Sequence, residues 1–209
     1  MSILSKYFEK SFVVNLDRRE DRMKETKEEF DKWGIDDVWR YPAIDGNILD
    51  LSQMNYAHKL NKGEIGLIIT HKRIIELAKE EGLKSILIME DDVVFGPEFE
   101  HLDDYMKDVP ENWDMFYLGA NHTYGQRPEH IAGYVHKLNF SVTTHCFAIR
   151  DTMYDVILDK LNSKDVPIDL SYAQIHKEHN VYGFLPNIAK QREGFSDIQY
   201  KFVNYDRFF

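Results

Sequence analysis

The chain alternates between short apolar runs and longer charged stretches, and that rhythm predicts its elements. Phe12-Val13-Val14-Asn15-Leu16 is too short for a helix and reads as a first strand. Arg18 to Trp33 is charged and helix-favouring, with Met23, Phe30 and Trp33 on one inner face and Gly34 as its C-terminal cap. Val38 to Ile44 returns as a second strand, interrupted by Pro42 and closed by Asp45-Gly46. Gly63 to Glu81 carries Ile65, Ile68, Ile69, Ile75 and Ala78 near helical spacing and is stopped by Gly82. Lys84 to Met89 is a further strand, and the unbroken apolar run Ile86 to Met89 marks it as buried on both faces. Strand, helix, strand, helix, strand predicts an α/β chain with a mostly parallel central sheet flanked by helices.

Downstream, Pro97 to Lys107 reads as a short helix and Met115-Phe116-Tyr117-Leu118-Gly119 as another buried strand. Asn121 to Gly133, with His122, Gly125, Pro128 and His130, has no period and is expected to be a surface loop, of the kind that faces an acceptor or acts as a lid. His145 to Ile149 reads as a strand, Asp151 to Leu161 and Ile168 to His179 as helices, and Val181 to Leu185 as extended. No repeat or linker divides the chain, so residues 1–209 are expected to form a single domain. Its tail, 192–209, holds Phe195, Tyr200, Phe202, Tyr205, Phe208 and Phe209, and is expected to pack back onto the body or onto a partner.

Composition narrows the class. A 43% hydrophobic and 30% charged chain of 209 residues can bury a real core. The 26 basic residues face 36 acidic ones, a net charge of −10, which argues against a nucleic-acid partner. A small anionic ligand stays possible where a metal supplies local positive charge. Cys146 is the single cysteine, Met1 to Lys10 lacks a signal-peptide core, and no apolar run is long enough to be a transmembrane segment. A cytoplasmic setting is expected, in a bacterium or in a host cell if the protein is viral. The oligomeric state is not legible.

The candidate chemistry sits where the apolar run ends. Glu90, Asp91 and Asp92 follow Met89 without a break, and three adjacent acids repel one another, so folding alone gives little reason for them. Ligands bind at the carboxyl ends of strands in open α/β sheets, and oxygen ligands of this kind hold divalent cations. The competing reading is an acidic strand exit solvated by water.

Several stretches then line up together: Phe12 to Arg22; Tyr41-Pro42-Ala43-Ile44-Asp45-Gly46; Gly63-Glu64-Ile65-Gly66 with Thr70-His71; and Ile86 to Val94. In order and spacing they closely resemble the family 25 glycosyltransferases, which include bacterial lipooligosaccharide galactosyltransferases and collagen hydroxylysine galactosyltransferases. Phe116-Tyr117-Leu118-Gly119, Pro167-Ile168-Asp169, and Pro186 with Gln191 agree more loosely. The resemblance implies a GT-A-type nucleotide-binding fold and a UDP-sugar donor, UDP-galactose in well-known members. It also implies Mn2+ or Mg2+ and inverting transfer of a hexose, galactose or glucose, to a hydroxyl of a glycan or glycoconjugate acceptor. It places donor contacts at Asn15, Leu16, Asp17, Arg19, Asp45, Gly46, Glu64 and His71, together with Glu90 and Asp91. Alternation along an extended strand end turns Glu90 and Asp92 one way and Asp91 the other, so Asp92 with Glu90 is the expected metal pair. Asp169 matches a position near the acceptor side and is the candidate general base.

Each assignment has a structural competitor. Asp169 before a helix is also a good N-cap. Arg18, Arg19 and Arg22 either reach phosphate or pair with Glu20, Asp21 and Glu25 on a solvated face. Asp45-Gly46 can be a simple turn, and His71, two helical turns from Glu64, a hydrogen-bonded structural residue. His176 and His179 either join the metal or do not. Ser141 to Arg150 departs from the family pattern, which leaves the acceptor open. The rival functions are a metal-dependent phosphohydrolase and a catalytically inactive nucleotide-sugar-binding module.

Overall fold

The computed structural model describes residues 3–50, 60–122, 127–162 and 166–205. The first apolar run is β1 (Lys10–Asn15), and it leads into α1 (Glu20–Trp33), where Phe30 is buried and Met23 and Trp33 pack beside it. Gly34 ends that helix in the left-handed region at φ 64°. β2 (Val38–Pro42) returns parallel to β1 as an edge strand, with Trp39 63% exposed. α2 (Lys62–Glu80) opens with a capping box in which Asn61 accepts from the Glu64 N–H and the Glu64 carboxylate accepts from the Asn61 N–H. Ile65, Ile68, Ile74, Ile75 and Ala78 are buried on it, whereas Ile69 is only partly covered. β3 (Ser85–Glu90) then lies on the other side of β1, also parallel.

The remaining elements are β4 (Val93–Phe95), a 3-10 turn at Pro97–His101, α3 (Leu102–Met106), β5 (Met115–Asn121), β6 (Glu129–Ala132) and β7 (Val135–Lys137). After them come β8 (Val142–Arg150), α4 (Tyr154–Asn162), α5 (Ile168–Ala173), β9 (Val181–Phe184), β10 (Ala189–Gln191), β11 (Gly194–Ser196) and β12 (Lys201–Val203). Eight strands form the central sheet in the order β2-β1-β3-β8-β5-β9-β7-β6. β8 runs against β3 and β5, and β7 against β9 and β6; the other six share one direction. The sheet is thus mostly parallel, as its apolar runs predict.

Strand alternation splits the core in two. Phe12, Val14, Ile86 and Ile88 face α2, α4 and α5, while Val13, Leu87 and Met89 face the side of α1 and α3. Two expectations are corrected. Within Asn121 to Gly133, residues 123–126 lie outside the described residues, and Glu129–Ala132 is an edge strand of a hairpin with β7; its side chains are almost all exposed, so it shows no apolar alternation. The helix expected from Ile168 to His179 breaks after Ala173, and a 3-10 turn at His176–Glu178 follows, because His176 turns inward to meet Tyr117.

Candidate active site

The carboxyl ends of β1 and β3, the start of α2 and the first residues of β8 enclose a cavity of about 590 Å³. Its floor is Glu90, Asp91 and Asp92. β3 ends at Glu90 and the next two residues form a turn before β4, so the expected alternation does not continue past the strand end. Asp91 and Asp92 instead converge on one cation: Arg22 Nη2 lies 2.7 Å from Asp91 Oδ1 and 2.8 Å from Asp92 Oδ2. Asn15 Nδ2 donates to Asp91 Oδ2 at 2.6 Å, and the fully buried Thr26 hydroxyl donates to the Asp91 carbonyl at 2.6 Å. Thr144 Oγ1 donates to Glu90 Oε1 at 2.7 Å.

The cluster is short of positive charge. Burial, and then Asp92 beside it, push the Glu90 carboxyl well above the usual carboxylate range. Burial raises Asp92 as well, with Arg22 and Arg192 opposing, and lifts Asp91 to about 6. Burial is the largest single influence on Arg22 and lowers its pKa, but Asp92, Asp91 and Glu90 together outweigh it and raise the pKa. Asp92 Oδ1 and Gln191 Oε1 are both buried without a hydrogen-bond partner. β10 pairs with β4 in a register that sets Gln191 opposite Val93, which brings this side chain beside Asp92. Buried acceptors normally find a donor, so two orphaned oxygens beside three carboxyl groups that share Arg22 fit an oxygen-ligated divalent cation. Among the described residues no three His, Cys, Asp or Glu side chains converge to hold a metal.

Asp169 also lines the cavity and is the second residue of α5; the cap position is Pro167, so the N-cap alternative does not hold. Its Oδ1 accepts from the Leu170 N–H at 2.8 Å, and burial raises its pKa, with the Leu170 and Thr143 backbone N–H groups opposing. Thr143 adopts φ 78°, a strained conformation for a β-branched residue. Its backbone N–H engages Asp169 while the neighbouring Thr144 contacts Glu90, so the start of β8 touches both carboxyl groups.

Eight of the residues singled out in sequence line this cavity: Leu16, Asp45, Gly46, Glu64, Glu90, Asp91, Asp92 and Asp169. Asp45 accepts from the Asn47 N–H and from Arg18 Nε at 2.8 Å. Gly46 is required by close approach, because a Cβ there would meet the Lys62 carbonyl oxygen at 1.6 Å. The other four lie elsewhere. Asn15 is buried beneath the floor, engaged with Asp91, Arg40 and the Arg19 carbonyl. Asp17 is exposed and pairs with Arg40. Arg19 pairs with Asp21 and Asp197 and faces an adjoining cavity of about 220 Å³. His71 is fully buried, with Nδ1 at 3.1 Å from the Tyr172 hydroxyl and its ring stacked on Phe147. Desolvation lowers its pKa to about 3, so it is neutral. It shares Glu64's helix face but lies about 10 Å further along the axis, under the sheet instead of at the cavity. His176 meets the Tyr117 hydroxyl and the Ser141 N–H, and the His179 carbonyl accepts from Lys137. Thr143, Thr144, Asp197 and Tyr205 were not singled out as site residues, although the aromatic density of the tail had marked the neighbourhood of Tyr205.

An open, mostly parallel sheet with a carboxylate-floored cavity at its strand ends is an α/β architecture of the GT-A type. Within that class the chain belongs to glycosyltransferase family 25: the model for "Glycosyltransferase family 25 (LPS biosynthesis protein)" matches residues 8–164. It is 29% identical over 207 residues to procollagen galactosyltransferase 1 of Danio rerio, covering 88% of this chain and 34% of that protein. It is also 29% identical over 148 residues to the probable inactive glycosyltransferase 25 family member 3 of Bos taurus, covering 62% of this chain and 24% of that protein. The chain thus spans about a third or less of the length of these relatives. A solved glycosyltransferase involved in the glycosylation of the major capsid of PBCV-1 superposes with a TM-score of 0.44 at 11% identity, over 73% of this chain and 64% of that one. No helix among the described residues is long and apolar enough to cross a membrane.

Proposed function

We propose that this chain is an inverting hexosyltransferase that uses a nucleoside diphosphate sugar, best fitted by a UDP-hexose, and a divalent cation. It transfers the sugar to a hydroxyl of a glycan or glycoconjugate. The observation that carries this reading is the cavity floor: a volume suited to a nucleotide sugar, with Glu90, Asp91 and Asp92 at its base and Asp92 Oδ1 buried without a partner. Asp92 and Glu90 would hold Mn2+ or Mg2+, which when bound offsets charge on the diphosphate leaving group. Arg22 and Asn15 keep Asp91 and Asp92 in place, and Thr144 orients Glu90. Arg18 lines the same cavity and, although paired with Asp45 and Asp197, presents a guanidinium that a phosphate could grip in place of Asp197. Asp169 accepts the proton of the attacking hydroxyl, a role favoured by its raised pKa and its place in the lining of the same cavity as the carboxylates.

The curated relatives include a protein named as probably inactive, so a donor-binding module without turnover is the second reading. One experiment separates the two. UDP and Mn2+ added together should raise the melting temperature more than the sum of each alone, and a screen of UDP-, GDP- and CMP-sugars should reveal slow Mn2+-dependent release of nucleotide. Cooperative stabilisation without release from any donor would favour the binding module, and no stabilisation at all would reject both.

A further inference from the structure

The arginines at the cavity mouth already hold an anion, and it belongs to the chain itself. Asp197, in the loop joining β11 to β12, places Oδ1 2.6 Å from Arg18 Nη1, pairs through Oδ2 with Arg19 Nη1, and lies 3.8 Å from Arg22 Nη1. A carboxylate bridging guanidinium groups offers two oxygens much as a phosphate does. Each arginine has a second carboxylate partner that would keep it in place if Asp197 left: Asp45 for Arg18 and Asp21 for Arg19.

The segment that carries Asp197 is lightly built. β11 and β12 are three residues each, and Phe195, Tyr200 and Phe202 are 49%, 56% and 67% exposed. It is laid across the start of α2, where a Cβ on Gly63 would stand 3.2 Å from Ile198 Cα. Its other ties are polar: Asn61 Nδ2 donates to the Ile198 carbonyl at 3.2 Å, and the Tyr200 hydroxyl to Asn47 Oδ1 at 3.0 Å. Asp197, Ile198 and Gln199 all line the cavity.

We infer that residues 194–203 form a strap held onto the cavity rim through Asp197, and that Asp197 holds the position the donor's diphosphate takes. Phosphate binding and strap release are then one exchange at Arg18 and Arg19. This deepens the proposed function and rests on the cavity taking a nucleoside diphosphate. Linkage requires that whatever frees the strap also tightens the nucleotide by the same factor.

The test uses the full chain with inorganic pyrophosphate and UDP as separate probes, each with Mg2+ and again without it, and UDP binding is scored in the presence of the cation. Brief trypsin treatment is followed by mass measurement of cleavage after Lys201, which is exposed on β12. Pyrophosphate is expected to speed that cleavage severalfold in the wild-type chain. Asp197→Asn should speed it without any ligand, and should tighten pyrophosphate and UDP about fivefold, as the loss of one competing ion-pair cluster implies. Cleavage that neither probe changes would overturn the strap, as would weaker binding by Asp197→Asn, since Asp197 would then orient the arginines instead of competing for them. Exchange seen with pyrophosphate but no binding of UDP would keep the strap and reject the nucleotide reading. UDP binding with an unmoved strap would do the reverse.

Discussion

Arg22→Met tests whether the carboxylate floor is starved of positive charge. Arg22 is only 16% exposed, and its Nη2 contacts both Asp91 and Asp92 within 2.8 Å. Methionine keeps much of the packing volume and removes the charge. Removing one partner of a buried ion pair costs about 3–5 kcal/mol, and the lower end applies here because the cavity opens to solvent. For a chain of 209 residues each kcal/mol corresponds to about 2–4 °C, so the melting temperature should fall by about 6–12 °C in EDTA. A divalent cation bound by Asp92 and Glu90 would replace the missing charge. With Mn2+ at about a hundred times its dissociation constant the gain is about 2.7 kcal/mol, enough to recover most of the loss. Scanning calorimetry of both proteins with Mn2+ and with EDTA gives the comparison. The reasoning fails if Arg22→Met melts within about 2 °C of wild type in EDTA, the shift expected for less than about 1 kcal/mol. It also fails if Mn2+ stabilises the variant no more than the wild-type chain.

Other outcomes follow from the same geometry. Asp169→Asn should lower kcat by about 10²–10⁴-fold while leaving UDP affinity near wild type, as removal of a general base does. Because burial raises the Asp169 pKa, wild-type kcat should fall as pH drops through a value above the ordinary carboxylate range, and that acid limb should vanish in the variant; a pH–rate profile of both proteins decides it. His71, His145 and His176 are buried with pKa values lowered to about 3, 4 and 3 by desolvation. The unfolded chain therefore binds protons below about pH 6.5 that the folded chain refuses, and stability should drop by about 1.4 kcal/mol per pH unit per histidine from there downward. The raised carboxyls of Glu90 and Asp91 bind protons on folding and oppose that slope, so the reading is a difference. Between pH 7 and pH 4.5 urea midpoints should fall less steeply in His71→Phe than in the wild-type chain by about one histidine's share, and an identical slope in both would mean that His71 is not neutral in the fold.

What the sequence disclosed follows burial. β1, β3 and β5 were legible because both their faces are covered, which leaves uninterrupted apolar runs, and α2 because its isoleucines recur at helical spacing. The hairpin of β6 was not legible, since an exposed edge strand has no apolar face to announce it. In the site, the Glu90 to Asp92 cluster stood out because adjacent carboxylates have no folding rationale. What local pattern could not supply was depth and long-range pairing. His71 has the right helix face at the wrong height, and Asn15 sits at the right strand end but faces under the floor. Arg22 reaches two carboxylates about seventy positions away, and Asp197 reaches back from the far end of the chain to Arg18 and Arg19, just before the first helix. Such contacts depend on sheet order, which a single sequence does not spell out.

The central claim is that Asp92 anchors the cation and diphosphate of a nucleotide-sugar site. Release of UDP from a UDP-hexose by Asp92→Ala, measured beside the wild-type chain over a range of Mn2+ concentrations, tests it most directly. The variant should fold, because Arg22 keeps Asp91 as a partner, and should show no Mn2+-dependent release where the wild type does. Full Mn2+-dependent turnover by Asp92→Ala would contradict the account.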